Sequence, residues 1–214
     1  MKAFDPDSFA IAVTEDFTWR VRELSDLKQV IRLAGNSYAP VARKAALALV
    51  YAHWEGYVVF VAGAYLTYVA KRKRVLSSLV PSLHAVSLTS HVQEWQKQRD
   101  NIGLRLKMVE TFRSMQSQQF KKVPPGSVNA GGNLNFERFA DICKVMMINA
   151  ATIITDQEYL DSEIVGVRNR IAHGGSIVIS DERLAKASDF VLSSMRSFRT
   201  DIENCVLSRS FMIQ

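Results

Sequence analysis

Apolar residues recur every three or four positions along most of the chain, the period of α-helices that bury one side. This spacing predicts a first helix over about residues 8–34, ended by Gly35 and Asn36. A second helix, opening at Ser37 or Tyr38 and continuing to about residue 74, is apolar on most sides. Such a helix belongs at the centre of a bundle, and Pro40 near its first turn leaves no donor unpaired there.

The middle of the chain is less regular and contains the longest stretch of turn-forming residues. Residues 76–88 include Pro81 and predict either a short helix or a broken one. A polar amphipathic helix is predicted over about residues 92–120, and residues 121–133 (KKVPPGSVNAGGN) follow as a loop. This loop is longer than most connections, so we expect it to be mobile and consider a functional role for it.

Further helices are predicted from their capping residues. Asn133 or Asn135 caps a helix to about residue 149, and Asp156 or Asp161 starts the helix that reaches residue 173. Residues 176–180 are the only β-like run and are too short to support a sheet, and Asp181 caps a final helix to about residue 208. The pattern predicts an all-α bundle, which we treat as a single domain over residues 1–214.

Charge and cysteine content narrow the function classes only slightly. The formal net charge of +6 permits binding to a polyanion such as RNA without requiring it. Cys143 and Cys205 lack a CxxC partner and are expected to be buried, reduced thiols of a cytosolic protein. The first 17 residues show no signal-peptide pattern, so we expect a cytoplasmic location.

One apolar segment needs comparison with a membrane span. Residues 56–70 carry no charge and precede the basic run 71–74, but this stretch of fifteen residues is shorter than a span. Extending it backwards meets Glu55 and His53, both costly in lipid. We interpret the segment as a buried core helix rather than a transmembrane one, and expect no membrane partner.

The candidate chemistry lies at the end of a predicted helix, in the sequence RNRIAHGG of residues 168–175. Asn169 and His173 are four residues apart and share one face, whereas Arg168 lies about 140° around the axis from His173. The glycine pair after His173 marks a helix C-terminus. An arginine can hold a phosphate and a histidine can move a proton, but this spacing alone also arises by chance.

A second motif strengthens the first. Residues 51–57 (YAHWEGY) lie on the long apolar helix, about a hundred residues before the Arg–Asn–x–x–Ala–His–Gly sequence. The two motifs in this order, with residues 133–136 (NLNF) opening the preceding helix, resemble the MAE-type prokaryotic branch of the HEPN superfamily (higher eukaryotes and prokaryotes nucleotide-binding). The resemblance spans about residue 39 to the final helix.

The resemblance implies an up-and-down helical bundle that dimerises so that two Arg/His motifs face each other. It implies a metal-independent endoribonuclease acting as a toxin or anti-phage effector, with Arg168 and His173 catalytic and Asn169 orienting them. It also implies RNA as substrate and an antitoxin or other defence-system protein as candidate partner. One departure is Gly175, which replaces the Tyr that antitoxin-linked nucleotidyltransferases modify, so that silencing route is not expected here.

The implied reaction suits these residue types. RNA carries its own nucleophile, the 2′-OH, so cleavage needs proton transfer by a histidine and charge stabilisation by an arginine. No residue cluster with metal-ligand spacing is visible, and we expect neither metal nor cofactor. The alternative is a non-catalytic helical module that binds RNA or a protein, with His173 merely favoured at a helix C-terminus.

Supporting roles are assigned to residues outside the motif. Glu55 on an apolar helix needs a partner, and we predict contact with Arg168 or Arg170, within one chain or across the dimer. This contact is either a structural bridge or a means to position the catalytic arginine or tune His173. His53 is expected to be a core or interface histidine. Lys71 and Arg72 either end a helix as solvated charges or contact the RNA backbone.

Overall fold

The predicted long helices are present in the computed structural model, which describes residues 5–96 and 101–213. These residues contain no strand, and the prediction of an all-α fold is confirmed. A 3-10 turn at Leu76–Ser78 and a π-helical segment at Tyr159–Gly166 interrupt the α-helices. The α-helices are α1 (Pro6–Leu33), α2 (Gly35–Lys71), α3 (Pro81–Gln96), α4 (Ile102–Met115), α5 (Phe136–Val145), α6 (Ala150–Ile153), α7 (Val167–Ala172) and α8 (Asp181–Ser208).

Helix α2 is the centre of the bundle, as its apolar sequence predicts. It packs against α1 and α8, the other two long helices, and Trp54, Tyr57 and Tyr65 on it are completely buried. By length and composition alone α2 could cross a membrane, but more than half of its most apolar window is buried inside the fold. Its lack of a polar face therefore matches burial on several sides.

The α1–α2 connection is shorter than predicted. Ala34 alone separates the two helices, and Gly35 begins α2 with a φ of +61°, a value that glycine adopts without strain. The chain therefore reverses direction two or three residues earlier than Ser37 or Tyr38. The result is a long antiparallel hairpin.

The prediction of a single helix over residues 92–120 is wrong. Asn101 is extended, and its side chain accepts a hydrogen bond from the Gly103 N–H, so it begins α4 as an N-cap. The part of the predicted helix over residues 97–100 lies outside the described residues. After α4 the chain turns back, where the Phe120 N–H donates to the Arg74 carbonyl.

Several predicted boundaries are corrected by capping contacts. Of the alternatives left open, residues 76–88 form the broken arrangement, with Pro81 opening α3. Asn135, and not Asn133, caps α5, which ends at Val145 and not at residue 149 because Met147 has a positive φ. Ser180 caps α8 in place of Asp181, whose carboxylate pairs with Arg43 of α2.

The helix that leads into the candidate motif is unusual in its first half. Asp156 accepts from the Tyr159 N–H and marks its beginning, as one of the two alternatives predicts. Asp161, the other alternative, lies inside the π-helical segment and accepts from the Phe136 N–H at the start of α5. Residues 176–180 form no strand, but Ile177 and Ile179 are buried while Val178 is exposed.

Candidate active site

The glycine pair after His173 ends α7 by a specific pair of hydrogen bonds. The Gly174 N–H donates to the Ile171 carbonyl and the Gly175 N–H to the Arg170 carbonyl, which is a Schellman arrangement. Gly174 has a φ of +73°, and a Cβ at Gly175 would lie 2.9 Å from the Arg170 oxygen. Both glycines are therefore required by the geometry that stops the helix directly after His173.

His173 and Asn169 lie on the same face of α7, as their spacing predicts. The His173 N–H donates to the Asn169 carbonyl at 3.0 Å, and the His173 side chain is exposed. Its ring makes no hydrogen bond or ion pair within the described residues. Such an imidazole is accessible to a ligand or to a second protein molecule.

Arg168 points to a different side of α7 and packs against α2. Its Nη2 donates to the Gly132 carbonyl at 2.7 Å and lies 3.7 Å from Oε2 of Glu55. Its guanidinium carbon lies 3.8 Å from the centre of the Tyr51 ring, a cation–π contact. The predicted contact of Glu55 with Arg168 is present as an ion pair, whereas Arg170 is exposed.

Tyr51 connects Glu55 to the end of the 121–133 loop. Its hydroxyl donates to Glu55 and accepts from the Leu134 N–H, while Trp54 Nε1 donates to the Leu134 carbonyl at 3.2 Å. Burial, together with the hydrogen bond to Glu55, raises the pKa of Tyr51 to about 12. Tyr51 therefore stays protonated at neutral pH and keeps donating to the carboxylate that faces Arg168.

The two sequence motifs thus meet in one polar cluster, formed by Tyr51, Glu55, Arg168 and the backbone of Gly132 and Leu134. Glu55 and Arg168 are predicted from the sequence, whereas the roles of Tyr51 and Trp54 are not. The four-residue spacing of Tyr51 and Glu55 is a signal for a contact between them. The backbone groups of Gly132 and Leu134 carry no comparable signal, since any residue type supplies them.

Other residues of the upstream motif, residues 51–57, contribute to packing in the core. His53 is buried on another side of α2, its ring 5.5 Å from that of Trp19, and burial lowers its pKa. Although its Nε2 lies 3.3 Å from a Glu23 oxygen, this contact lacks hydrogen-bond geometry, so we treat His53 as a neutral core histidine. Gly56 leaves room for the buried Arg20, whose Nη1 would lie 2.8 Å from a Cβ there.

Lys71 and Arg72 are not brought to this cluster. They end α2, sixteen or more residues beyond Glu55, which corresponds to about 24 Å along the helix axis. The Arg72 guanidinium stacks on the Tyr68 ring at 4.1 Å. Within one chain, these cations lie at the C-terminal end of α2, whereas Glu55 lies near its middle.

The cysteines also lie outside the cluster. Cys143 is buried and Cys205 is partly buried, and both are free thiols. Burial raises the pKa of both, which disfavours the reactive thiolate. Among the described residues, no group of three or more His, Cys, Asp or Glu side chains is placed to hold a metal ion.

The fold and the cluster define a class, an all-α bundle in which an Arg–Asn–x–x–x–His helix end packs on a Tyr–x–x–Trp–Glu helix. A sequence model described as HEPN_MAE_28990-like HEPN matches residues 9–211, and the chain belongs to this family. The predicted membership in the MAE-type branch is thereby confirmed. No curated protein and no solved structure matched the chain. Membership in this family indicates that the chain is a nucleotide-binding or ribonuclease-like module.

Proposed function

We propose that the chain is a metal-independent endoribonuclease whose active site forms when two copies bring their Arg168 and His173 motifs together. The observation that supports this most directly is the difference between Arg168 and His173 on α7. Arg168 is held in one orientation by Gly132, Glu55 and Tyr51, whereas His173 is exposed and unengaged. A fixed cation and an accessible proton carrier on one short helix suit phosphodiester cleavage.

The proposed reaction uses the 2′-OH of RNA as nucleophile. One His173 imidazole accepts the 2′ proton while the 2′ oxygen attacks phosphorus, and Arg168 stabilises the charge on the non-bridging oxygens. The bond from phosphorus to the 5′ oxygen breaks, and the His173 of the second copy, in its protonated form, gives a proton to that oxygen. The products are a 2′,3′-cyclic phosphate and a 5′-OH terminus.

The requirement for a homodimer follows from this chemistry. One chain supplies one histidine, whereas a two-fold axis near His173 supplies both the base and the acid. Val178, five residues further along, is 84% exposed, so an apolar side chain lies near His173 in sequence and is open to a second molecule. Asn169 is proposed to orient the motif, with Glu55 and Arg170 in supporting positions and Lys71 and Arg72 as distant contacts for the RNA backbone.

A second candidate function is a non-catalytic module that binds RNA or a partner protein. The observation that favours it is the engagement of Arg168, whose side chain is only 20% exposed and already contacts three groups of its own chain. In this case Arg168 is a structural bridge between α7, α2 and the loop. The bundle is the same under both functions, and only the chemistry at His173 separates them.

The cleavage assay tests the first proposal. Purified chain is incubated with RNA in EDTA beside His173→Ala and Arg168→Ala, with Arg196→Ala, an exposed position on α8, as control. We expect each motif variant to lose about a hundredfold or more in cleavage rate and the control to keep it. Cleavage that depends on added metal, or that survives both motif substitutions, contradicts the proposal.

The proposed biological role is a cytoplasmic toxin or anti-phage effector, kept in check by an antitoxin or other defence-system protein. It is supported by the family relationship together with the candidate nuclease site. Induction in a bacterial host provides the test. Growth arrest that is relieved by His173→Ala favours the nuclease. Growth that is unaffected by both the wild type and this variant favours the binding module.

A further inference from the structure

An apolar groove lies between the α1–α2 hairpin and the first turns of α8. Its volume is about 460 Å³, and its walls include Leu24, Leu27 and Ile31 of α1 and Leu184 of α8. The groove is distinct from the polar cluster around Arg168, which shares none of its lining residues. We call it the α1–α8 groove.

The groove exists because small residues line its floor. Ala39 and Ala46 of α2 and Ala185 and Ser188 of α8 face it, where larger side chains would fill the space between the helices. Ala39, Ala46 and Ser188 are buried, whereas Ala185 is exposed at the edge. The opening is therefore a consequence of the sequence of two well-packed helices, and not of a displaced loop.

The edges of the groove are basic. Lys28, Arg32 and Arg43 line it together with a single acid, Asp181. Arg43 and Asp181 neutralise each other through paired contacts of 2.6 and 2.8 Å. Lys28 and Arg32, one turn apart on α1, make no ion pair within the described residues. The unneutralised charge beside the apolar walls is thus positive.

The dimensions of the groove fit a helix. Its α1 wall runs from Leu24 to Arg32, about 12 Å or roughly two helical turns. An amphipathic helix presents apolar side chains at i, i+4 and i+7 over a similar length, which is how helices are bound in grooves. Carboxylates beside such anchors would meet Lys28 and Arg32.

We propose that the α1–α8 groove docks an acidic amphipathic helix of a partner polypeptide. Leucine-like side chains of that helix occupy the apolar floor, and its Asp or Glu residues pair with Lys28 and Arg32. Positive edges select against basic helices, since like charges at an interface are repulsive. This site goes beyond RNA cleavage and does not depend on it.

Fluorescence anisotropy with defined probes tests the site. The first probe is a labelled synthetic helix with leucines at the i, i+4 and i+7 positions and glutamates elsewhere. The second has lysines in place of the glutamates, and the third has serines in place of the leucines. We expect the first to bind the full chain and the other two to bind at least about tenfold more weakly.

Two variants locate the binding. Ala185→Trp fills the groove from an exposed position and should abolish binding of the acidic helix. Lys28→Glu combined with Arg32→Glu should weaken it by about tenfold or more. The matched control is Arg22→Glu combined with Lys107→Glu, two exposed cations away from the groove, which should leave binding unchanged. Circular dichroism and thermal unfolding establish that each variant folds.

Four results overturn the proposal. The first is equal binding of the acidic and basic helices, and the second is binding that survives Ala185→Trp in a folded variant. The third is a dimer that Ala185→Trp converts to monomer in sedimentation, which assigns the groove to a second copy. The fourth is oleate that binds the wild type but not Ala185→Trp, with no peptide binding, which assigns the groove to a lipid.

Discussion

Glu55 lies one turn after Tyr51 on α2, and both side chains act on Arg168. Oε2 of the Glu55 carboxylate lies 3.7 Å from Arg168 Nη2. The Tyr51 hydroxyl donates to this carboxylate, and the Tyr51 ring lies against the guanidinium. Both ion-pair partners are mostly buried, which makes their mutual orientation more consequential than that of an exposed pair.

We therefore expect Glu55→Gln to preserve the fold but misplace Arg168. The amide still accepts from Tyr51 and loses only the charge, so the free energy of unfolding should fall by about 1–2 kcal/mol, between the values for exposed and buried pairs. RNA cleavage should fall by about tenfold or more, because small displacements of a catalytic group are costly. The measurements are chemical unfolding and kcat/KM. Full activity in this variant would mean that Glu55 has only a structural role.

His53 gives the chain a dependence of stability on pH. Burial lowers its pKa below the ordinary value of 6.5, so the unfolded chain binds this proton more readily than the folded one. The free energy of unfolding should consequently decrease as the pH falls below about 6.5. This loss should be smaller in His53→Gln, measured by urea unfolding at several pH values. Identical pH profiles for the two proteins would exclude His53 as the cause.

At the scale of an element, the end of α7 depends on close approach at Gly175. A Cβ there would lie 2.5 Å from Arg170 Cγ and 2.9 Å from the Arg170 oxygen, so the Schellman turn cannot form unchanged. We expect Gly175→Ala to destabilise the protein by about 1–3 kcal/mol. The matched control is Gly63→Ala inside α2, where a Cβ meets nothing within 4 Å.

The control should be neutral or stabilising by up to about 1 kcal/mol, since alanine favours a helix more than glycine does. Thermal unfolding of both variants gives the comparison. A Gly175→Ala protein as stable as the wild type would mean that the turn relaxes elsewhere, and His173 would then lose its defined place at the helix end.

Periodicity predicts the long elements of the fold and fails at their local interruptions. Helices α1, α2 and α8 are long enough for the apolar pattern to average over many turns. The π-helical segment at Tyr159–Gly166 changes the number of residues per turn over a short stretch, which such a pattern does not resolve. The helix predicted over residues 92–120 is interrupted at Asn101, whose side chain accepts a hydrogen bond from the Gly103 N–H, and periodicity does not reveal such a local cap.

The candidate site is predictable to the extent that side chains define it. Arg168, His173 and Glu55 are visible in the sequence because two motifs in a fixed order carry them, although the Arg/His spacing alone also arises by chance. The partner groups on Gly132 and Leu134 are backbone atoms. Their positions depend on how the preceding loop returns to α2, and residue types alone do not specify that path.

At the scale of the whole molecule, the proposed composite site links activity to protein concentration. Because both histidines must share one cleft, RNA cleavage per mole of chain should fall on dilution below the dissociation constant of the dimer. Sedimentation velocity and specific activity measured over one dilution series give the comparison. His173→Ala should dimerise like the wild type. Constant specific activity across a range in which the chain is monomeric would contradict a shared site.

Leu134 is bonded to α2 through both its N–H and its carbonyl, by Tyr51 and Trp54. These two bonds anchor the chain at the point where the 121–133 loop ends. Substitutions or an inserted segment near the turn at Gly126 should therefore leave the Gly132 carbonyl, which accepts from Arg168, in place. That turn is where an epitope tag or a new pair of chain ends can be introduced, and where relatives can diverge in length without losing the site.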